Sequence, residues 1–223
     1  MIDCTVRVEA GQPIDPHLRD GAVVCLAAGV HPARLVIEQS LTLRGEPGAV
    51  IDGTLGGSRG GPVIHVPGDQ LVVKVEGLTI RGGAGDAGGG VRLSGWSELT
   101  LEKCVVEDNE ATLAGGGVGG GALAERGKLS LVDTRFANNR AGSGSDLYAN
   151  GVATVDVQGG EFGGDVFFVD GVRASVTGSR VRGKLGARGT STRAPSVSLR
   201  GTAVDGGIEN DTNLPATLVV EDG

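Results

Sequence analysis

No run of 18 consecutive apolar residues occurs in these 223 residues, which excludes a membrane-spanning helix. Met1-Ile2-Asp3-Cys4 lacks the basic and then apolar pattern of an export signal. The chain as written therefore reads as cytoplasmic, or as secreted or surface-bound if a leader has been removed. Basic residues are few: 20 Lys and Arg against 27 Asp and Glu leave a net charge of −7, and the positive charges are dispersed. Nucleic acid and anionic membrane are poor partners for such a chain. The three cysteines, Cys4, Cys25 and Cys104, fit no zinc spacing. Cys4 and Cys25 can meet at the N-terminal end, paired or as free thiols, whereas Cys104 reads as a small core residue. Aromatic residues make up only 3% of the chain, so any that cluster carry information. No helical periodicity and no linker interrupt the sequence, which is read as one domain over 1–223, with a cap at 1–20 and stacked rungs over 21–223.

What the chain does have is a repeat. Eight triplets with apolar flanks recur: Leu41-Thr42-Leu43, Val73-Lys74-Val75, Leu99-Thr100-Leu101, Leu129-Ser130-Leu131, Val155-Asp156-Val157, Ala174-Ser175-Val176, Val197-Ser198-Leu199 and Leu218-Val219-Val220. The alternation is that of strands with one buried face. Two residues beyond each triplet stands Gly in five cases, Asp in two (Asp133, Asp222) and Lys103 in one, which predicts a left-handed backbone bend. Five residues past each triplet's end, a second apolar column reads Ile80, Val106, Phe136, Phe162, Val181 and Val204. A third, before the triplets, reads Ile64, Val91, Ala122, Leu147, Val166, Leu185 and Ile208.

Three strands per turn, repeated every ~20 to 30 residues, describe an all-β solenoid. The fold expected is a right-handed parallel β-helix of about eight rungs, roughly 40 Å long at ~4.8 Å per rung. The 42 glycines serve sharp turns and close rung contacts, since they follow no collagen period. Pro13 to Leu18, with Ile14 and Leu18 on one face, predicts a short helix capping the first rung. The last triplet has no such cover, which leaves end-to-end association at the C-terminal rung open.

At these columns and turns the chain resembles the right-handed β-helix proteins of the pectate-lyase-like superfamily. The segment from Gly21 to Gly29, then Leu41-Thr42-Leu43-Arg44-Gly45 and Val50-Ile51-Asp52-Gly53, is similar to the opening of many bacterial members. Residues 88–150 partly resemble polymorphic outer membrane protein repeats, through Gly120-Gly121-Ala122-Leu123 and Phe136-Ala137-Asn138-Asn139. That superfamily hosts lyases, hydrolases, adhesins and binding modules, so the fold alone does not fix the function.

The resemblance implies a working surface on the strand that begins each unit. Its outward column reads His65, Arg92, Leu123, Tyr148, Phe167, Gly186 and Glu209. Arg92, Leu123, Tyr148 and Phe167 are the binding candidates: the last three would stand side by side as an apolar platform for a sugar ring or a protein, or as a ladder stabilising the sheet. Two residues earlier, Asp146, Asp165 and Lys184 stack as catalytic candidates, or else Lys184 pairs with Asp165 on the surface while Asp146 stays solvated. The long Gly-rich loops Arg81–Gly90, Glu107–Gly121 and Ala137–Asp146 would wall that face, as a lid or as tolerated insertions. Asn109, Asn138 and Asn139 are expected to hydrogen-bond at turns between rungs. No cofactor is expected, calcium being the one ion the acidic stretch Glu107-Asp108-Asn109-Glu110 leaves open. The motifs of pectate lyases and polygalacturonases are missing. The expectation is therefore a non-enzymatic module that binds a protein or glycan through the sheet face or the open end. The alternative is a polysaccharide lyase or hydrolase acting on acidic glycans.

Overall fold

The structure, a computed structural model, describes residues 3–56, 60–112, 116–189, 193–210 and 217–221. All eight triplets lie in one ten-stranded parallel sheet whose strands follow chain order, from Val6–Val8 to Thr217–Glu221. Leu43, Val75, Leu101, Leu131, Val157, Val176, Leu199 and Val220 pair successively in one column. Ile80, Val106, Phe136, Phe162, Val181 and Val204 do the same in an eight-stranded second sheet. The column from Leu35 through Ile64 and Val91 to Ile208 aligns in an eight-stranded third. Each coil visits the three sheets in turn, so the chain forms a right-handed parallel β-helix. Its core is the stack of inward columns, almost all fully buried, with the rings of Phe136 and Phe162 stacked 5.0 Å apart.

The bend after each triplet is left-handed at Gly77, Lys103, Asp133, Gly159, Gly178 and Gly201, with φ between 47° and 69°. Gly45 departs from the pattern. It ends the strand Leu41–Gly45, and the left-handed residue there is Gly48 (φ 88°). Gly45 is required for room instead: a Cβ would lie 2.6 Å from the Leu78 side chain. Asp222 lies outside the described residues. Just inside the bend, Cys104, Thr134 and Ser179 are buried. The Thr134 hydroxyl donates to the Leu101 carbonyl at 3.0 Å, and burial pushes the Cys104 thiol up to about 11, which leaves it an inert core group.

The capping helix expected over Pro13–Leu18 is not formed. One 3-10 turn, Asp15–His17, stands there, with Ile14 buried and Leu18 partly buried against the core. Two prolines in six residues leave too few amide donors for an α-helical ladder. The end is closed instead by the strand Val6–Val8, which pairs with Val23–Leu26 and is tied to it by a Cys4–Cys25 disulfide. The bond closes a loop with a sequence separation of 21. Cys4→Ser with Cys25→Ser, or reduction, is expected to lower stability by about 3 kcal/mol, read as a shift in the denaturant midpoint with and without reductant. An unchanged midpoint would show that the cap holds without the bond.

The long loops are themselves stacked. Ala84–Gly85 pairs in parallel with Glu110–Ala111, Glu110 bridges to Arg140, and Val118 bridges to both Ala87 and Ser143. This wall forms because glycine permits contacts no other residue would: a Cβ on Gly83 would sit 1.7 Å from the Gly89 carbonyl oxygen.

Candidate functional site

The outward column of the third sheet reads as its alternation implies. His65 pairs with Arg92, Arg92 with Leu123, then Tyr148, Phe167, Gly186 and Glu209 follow in register. Their surroundings differ from the expectation. Leu123 and Phe167 are buried and Tyr148 is partly buried, so these three form no exposed apolar platform. The loop wall leans on this column. The turn glycines Gly119 and Gly144 have φ of 66° and 58°. They lie so close that a Cβ on either would be within 3.0 Å of the Leu123 or Tyr148 Cβ. The Phe167 ring lies across Gly186, where a Cβ would come within 2.0 Å of it, and the Arg188 guanidinium covers it at 4.4 Å. Burial first, then the Asp170 carboxylate, raises the Tyr148 phenol, while Arg188 opposes the shift.

The Asp146, Asp165 and Lys184 group is also corrected. Asp146 is wholly buried, not solvated. Its Oδ1 accepts from Asn139 Nδ2 at 2.9 Å and its Oδ2 from the Gly164 amide at 2.6 Å. Asn139 in turn accepts from Asn109, whose own Oδ1 takes the Gly83 amide, so a ladder of side chains runs inside the wall. Burial pushes the Asp146 carboxyl up, and the hydrogen bonds from Asn139 and the Gly164 and Gly163 amides partly oppose it. Asp165 Oδ1 accepts the Lys184 backbone amide, while the Lys184 ammonium pairs with Glu209 at 2.6 Å and not with Asp165. The three residues neighbour one another, but Asp146 is committed to the architecture.

Open polar chemistry gathers at the other end of the column. His65 lies mid-strand in Ile64–Val66, Arg92 mid-strand in Val91–Leu93, and Ser94 directly follows that strand. The Ser94 amide donates to the Val66 carbonyl at 3.1 Å and the Glu125 amide to the Leu93 carbonyl at 2.9 Å, which carries the alternation past the strand ends. His65 and Ser94 are thereby diagonal neighbours on adjacent rungs, and His65 Nε2 is 2.9 Å from Ser94 Oγ. Arg92 beside them donates from Nε to Glu125 Oε2 at 2.9 Å, with about a third of each side chain exposed. Burial and then the Arg92 charge hold the His65 imidazole below its ordinary range, against a smaller upward pull from Glu125. In the tautomer that carries its proton on Nδ1, a neutral imidazole can accept the Ser94 hydroxyl proton at Nε2. A hydroxyl and a base within hydrogen-bond reach form the core of an activated nucleophile.

Sequence reasoning missed this pair, although His65 and Arg92 were in one column and Ser94 lies two residues beyond Arg92. A search of diagonal as well as vertical neighbours would have found it. Among the described residues no three or more His, Cys, Asp or Glu side chains gather as a metal site, and no helix is long and apolar enough to cross a membrane.

No protein-family model and no curated protein match the chain. Solved structures do. A pectin methylesterase from Erwinia chrysanthemi is similar over 92% of this chain and 81% of its own, at 15% identity and a TM-score of 0.53. A pectin methylesterase mutant in complex with a hexasaccharide is similar over 99% of this chain and 89% of its own, at 14% identity and a TM-score of 0.58. Another pectin methylesterase, also in complex with a hexasaccharide, covers 91% and 80% at 14% identity, with a TM-score of 0.50. At such identities the likeness establishes the fold, a right-handed parallel β-helix. It also overturns the expectation of a non-enzymatic module binding through the sheet face or the open end. The three solved structures similar along nearly the whole chain are pectin methylesterases, which favours the polysaccharide-acting alternative.

Proposed function

We propose that this chain hydrolyses esters carried by an acidic polysaccharide, with Ser94 as nucleophile and His65 as general base. The observation that carries the reading is the 2.9 Å contact between His65 Nε2 and Ser94 Oγ on a partly open sheet face, next to the Arg92–Glu125 pair. In the first half-reaction Ser94 Oγ bonds to the ester carbonyl carbon as its proton passes to His65. The bond from that carbon to the alcohol oxygen then breaks, and His65 returns the proton to the departing alcohol. A water molecule repeats the sequence on the acyl-Ser94 ester, giving the free carboxylate and restoring the hydroxyl. Arg92 retains guanidinium N–H groups that Glu125 does not use, suited to a neighbouring uronate carboxylate. The similar structures being esterases of an acidic glycan supports the substrate class, while the residues assigned here are this chain's own.

A fluorophosphonate probe, which captures activated serine hydroxyls, tests the assignment. Peptide mass spectrometry is expected to find one phosphonyl group, on Ser94, and His65→Gln is expected to suppress it. Release of alcohol from esterified pectin by a chain that remains unlabelled at Ser94 would remove Ser94 from the role.

A further inference from the structure

Trp96 is the only tryptophan in the chain, and it is 53% exposed. Exposed apolar side chains scattered singly are ordinary, but two features set this one apart. It stands two residues beyond Ser94, so the two Cα atoms are at most about 7 Å apart. Burial also alternates past the strand Val91–Leu93 into this turn: 92, 94 and 96 are partly or largely open, while 93, 95 and 97 are buried. Its turn is also clamped. The Trp96 amide donates to Asp69 Oδ1 at 2.7 Å and its carbonyl accepts the Gln70 amide at 2.8 Å. The buried Ser97 hydroxyl donates to the Gly68 carbonyl at 2.7 Å and accepts the Leu71 amide at 2.9 Å. Gly95 lies so close to the turn below that a Cβ would be 1.8 Å from the Gly68 carbonyl oxygen. A rigid backbone thus presents a large apolar ring to solvent beside a nucleophile.

We infer that Trp96 is a sugar-binding platform, on which a pyranose ring of the polysaccharide stacks its C–H face next to the unit whose ester meets Ser94. A planar indole offers a large contact area with little rotamer freedom to lose, and its backbone is already fixed. An acidic sugar chain suits the position because the apolar face of its ring meets the indole while its carboxylate remains free for Arg92. The inference rests on the esterase reading for its substrate, but it can be tested without turnover.

Because Trp96 is the sole indole, its fluorescence reports this position alone. The full chain carrying Ser94→Ala is titrated with uronic-acid oligosaccharides, methyl-esterified and free, while calorimetry measures binding in parallel. A saturable change in emission is expected, together with binding at least tenfold weaker when Trp96→Ala is added and partly recovered with Trp96→Phe. Emission that stays constant while calorimetry saturates, binding within twofold of the parent after Trp96→Ala, or no binding of any of these sugars would each overturn the platform. The esterase reading fails separately, if the unmutated chain releases no alcohol from esterified pectin, and that result leaves the fluorescence outcome to stand on its own.

Discussion

Replacing His65 with Gln, or Ser94 with Ala, is expected to slow ester hydrolysis by about 10³-fold, because each removes one half of a proton-transfer pair. The pH dependence is the sharper part of the expectation. The reaction needs neutral His65, so the rate falls on the acid side as the imidazole gains its proton. Burial and the Arg92 charge hold that imidazole down in the folded chain, which places the acid limb of kcat/KM below the ordinary histidine value of about 6.5. Removing the neighbouring cation with Arg92→Gln should move the limb to higher pH. Glu125→Gln removes an upward pull and should move it lower. The same sign governs stability: the unfolded chain takes up this proton first, so the His65 contribution is present above the ordinary histidine range and is lost as pH falls through it. Rate profiles of the unmutated chain, Arg92→Gln and Glu125→Gln, together with a ring titration of His65 by NMR, check the set. A limb that does not move in Arg92→Gln would remove His65 as the base.

The scaffold under this site was legible because it depends on alternation, which a sequence displays directly. Leu101, Leu131 and Val157 align as their triplets require, and the outward column from His65 to Glu209 was in register. The burial of that column was not legible. Whether Leu123 faces water depends on how the loops around Gly88, Gly119 and Gly144 fold back, and those turns are made by φ angles that glycine leaves open. The cap shows the same limit: Ile14 and Leu18 had helical spacing, but Pro13 and Pro16 decided the backbone. At the site, the mistake was to look for acids in vertical stacks. Asp146 and Asp165 do neighbour each other, yet one is sealed inside the wall. The chemistry that remained open crosses between columns, from His65 to Ser94. A one-dimensional reading does not weigh that diagonal unless residues beyond a strand's end are kept in its alternation.

Asn139→Ala is expected to cost about 3 to 4 kcal/mol, the largest loss for a single side chain in the wall. Its amide donates to the Val106 carbonyl at 2.9 Å and to Asp146 at 2.9 Å, and its oxygen accepts both the Asn109 backbone and side-chain amides at 3.1 Å. Truncation strands two buried donors, at ~1 to 3 kcal/mol each, and deprives a buried carboxylate of a partner. Asn138 makes the control. It is exposed and left-handed at φ 56°, so Asn138→Gly should be close to neutral although it is the adjacent residue. The deficit of Asn139→Ala should also depend on pH. Asp146 is held above its ordinary range, so its contribution to stability is full below the unfolded carboxyl value and is lost as pH rises through the folded one. Asn139 is the largest influence opposing that rise; without it the carboxyl moves further up and the loss deepens. Denaturant unfolding should therefore show a larger deficit near pH 7 than near pH 4. Equal deficits at the two pH values would mean that the ladder holds Asp146 by shape alone. Because the wall buries Leu123 and leans on Tyr148, loosening it should also expose the column that leads to His65 and Ser94, and lower ester hydrolysis without touching either residue.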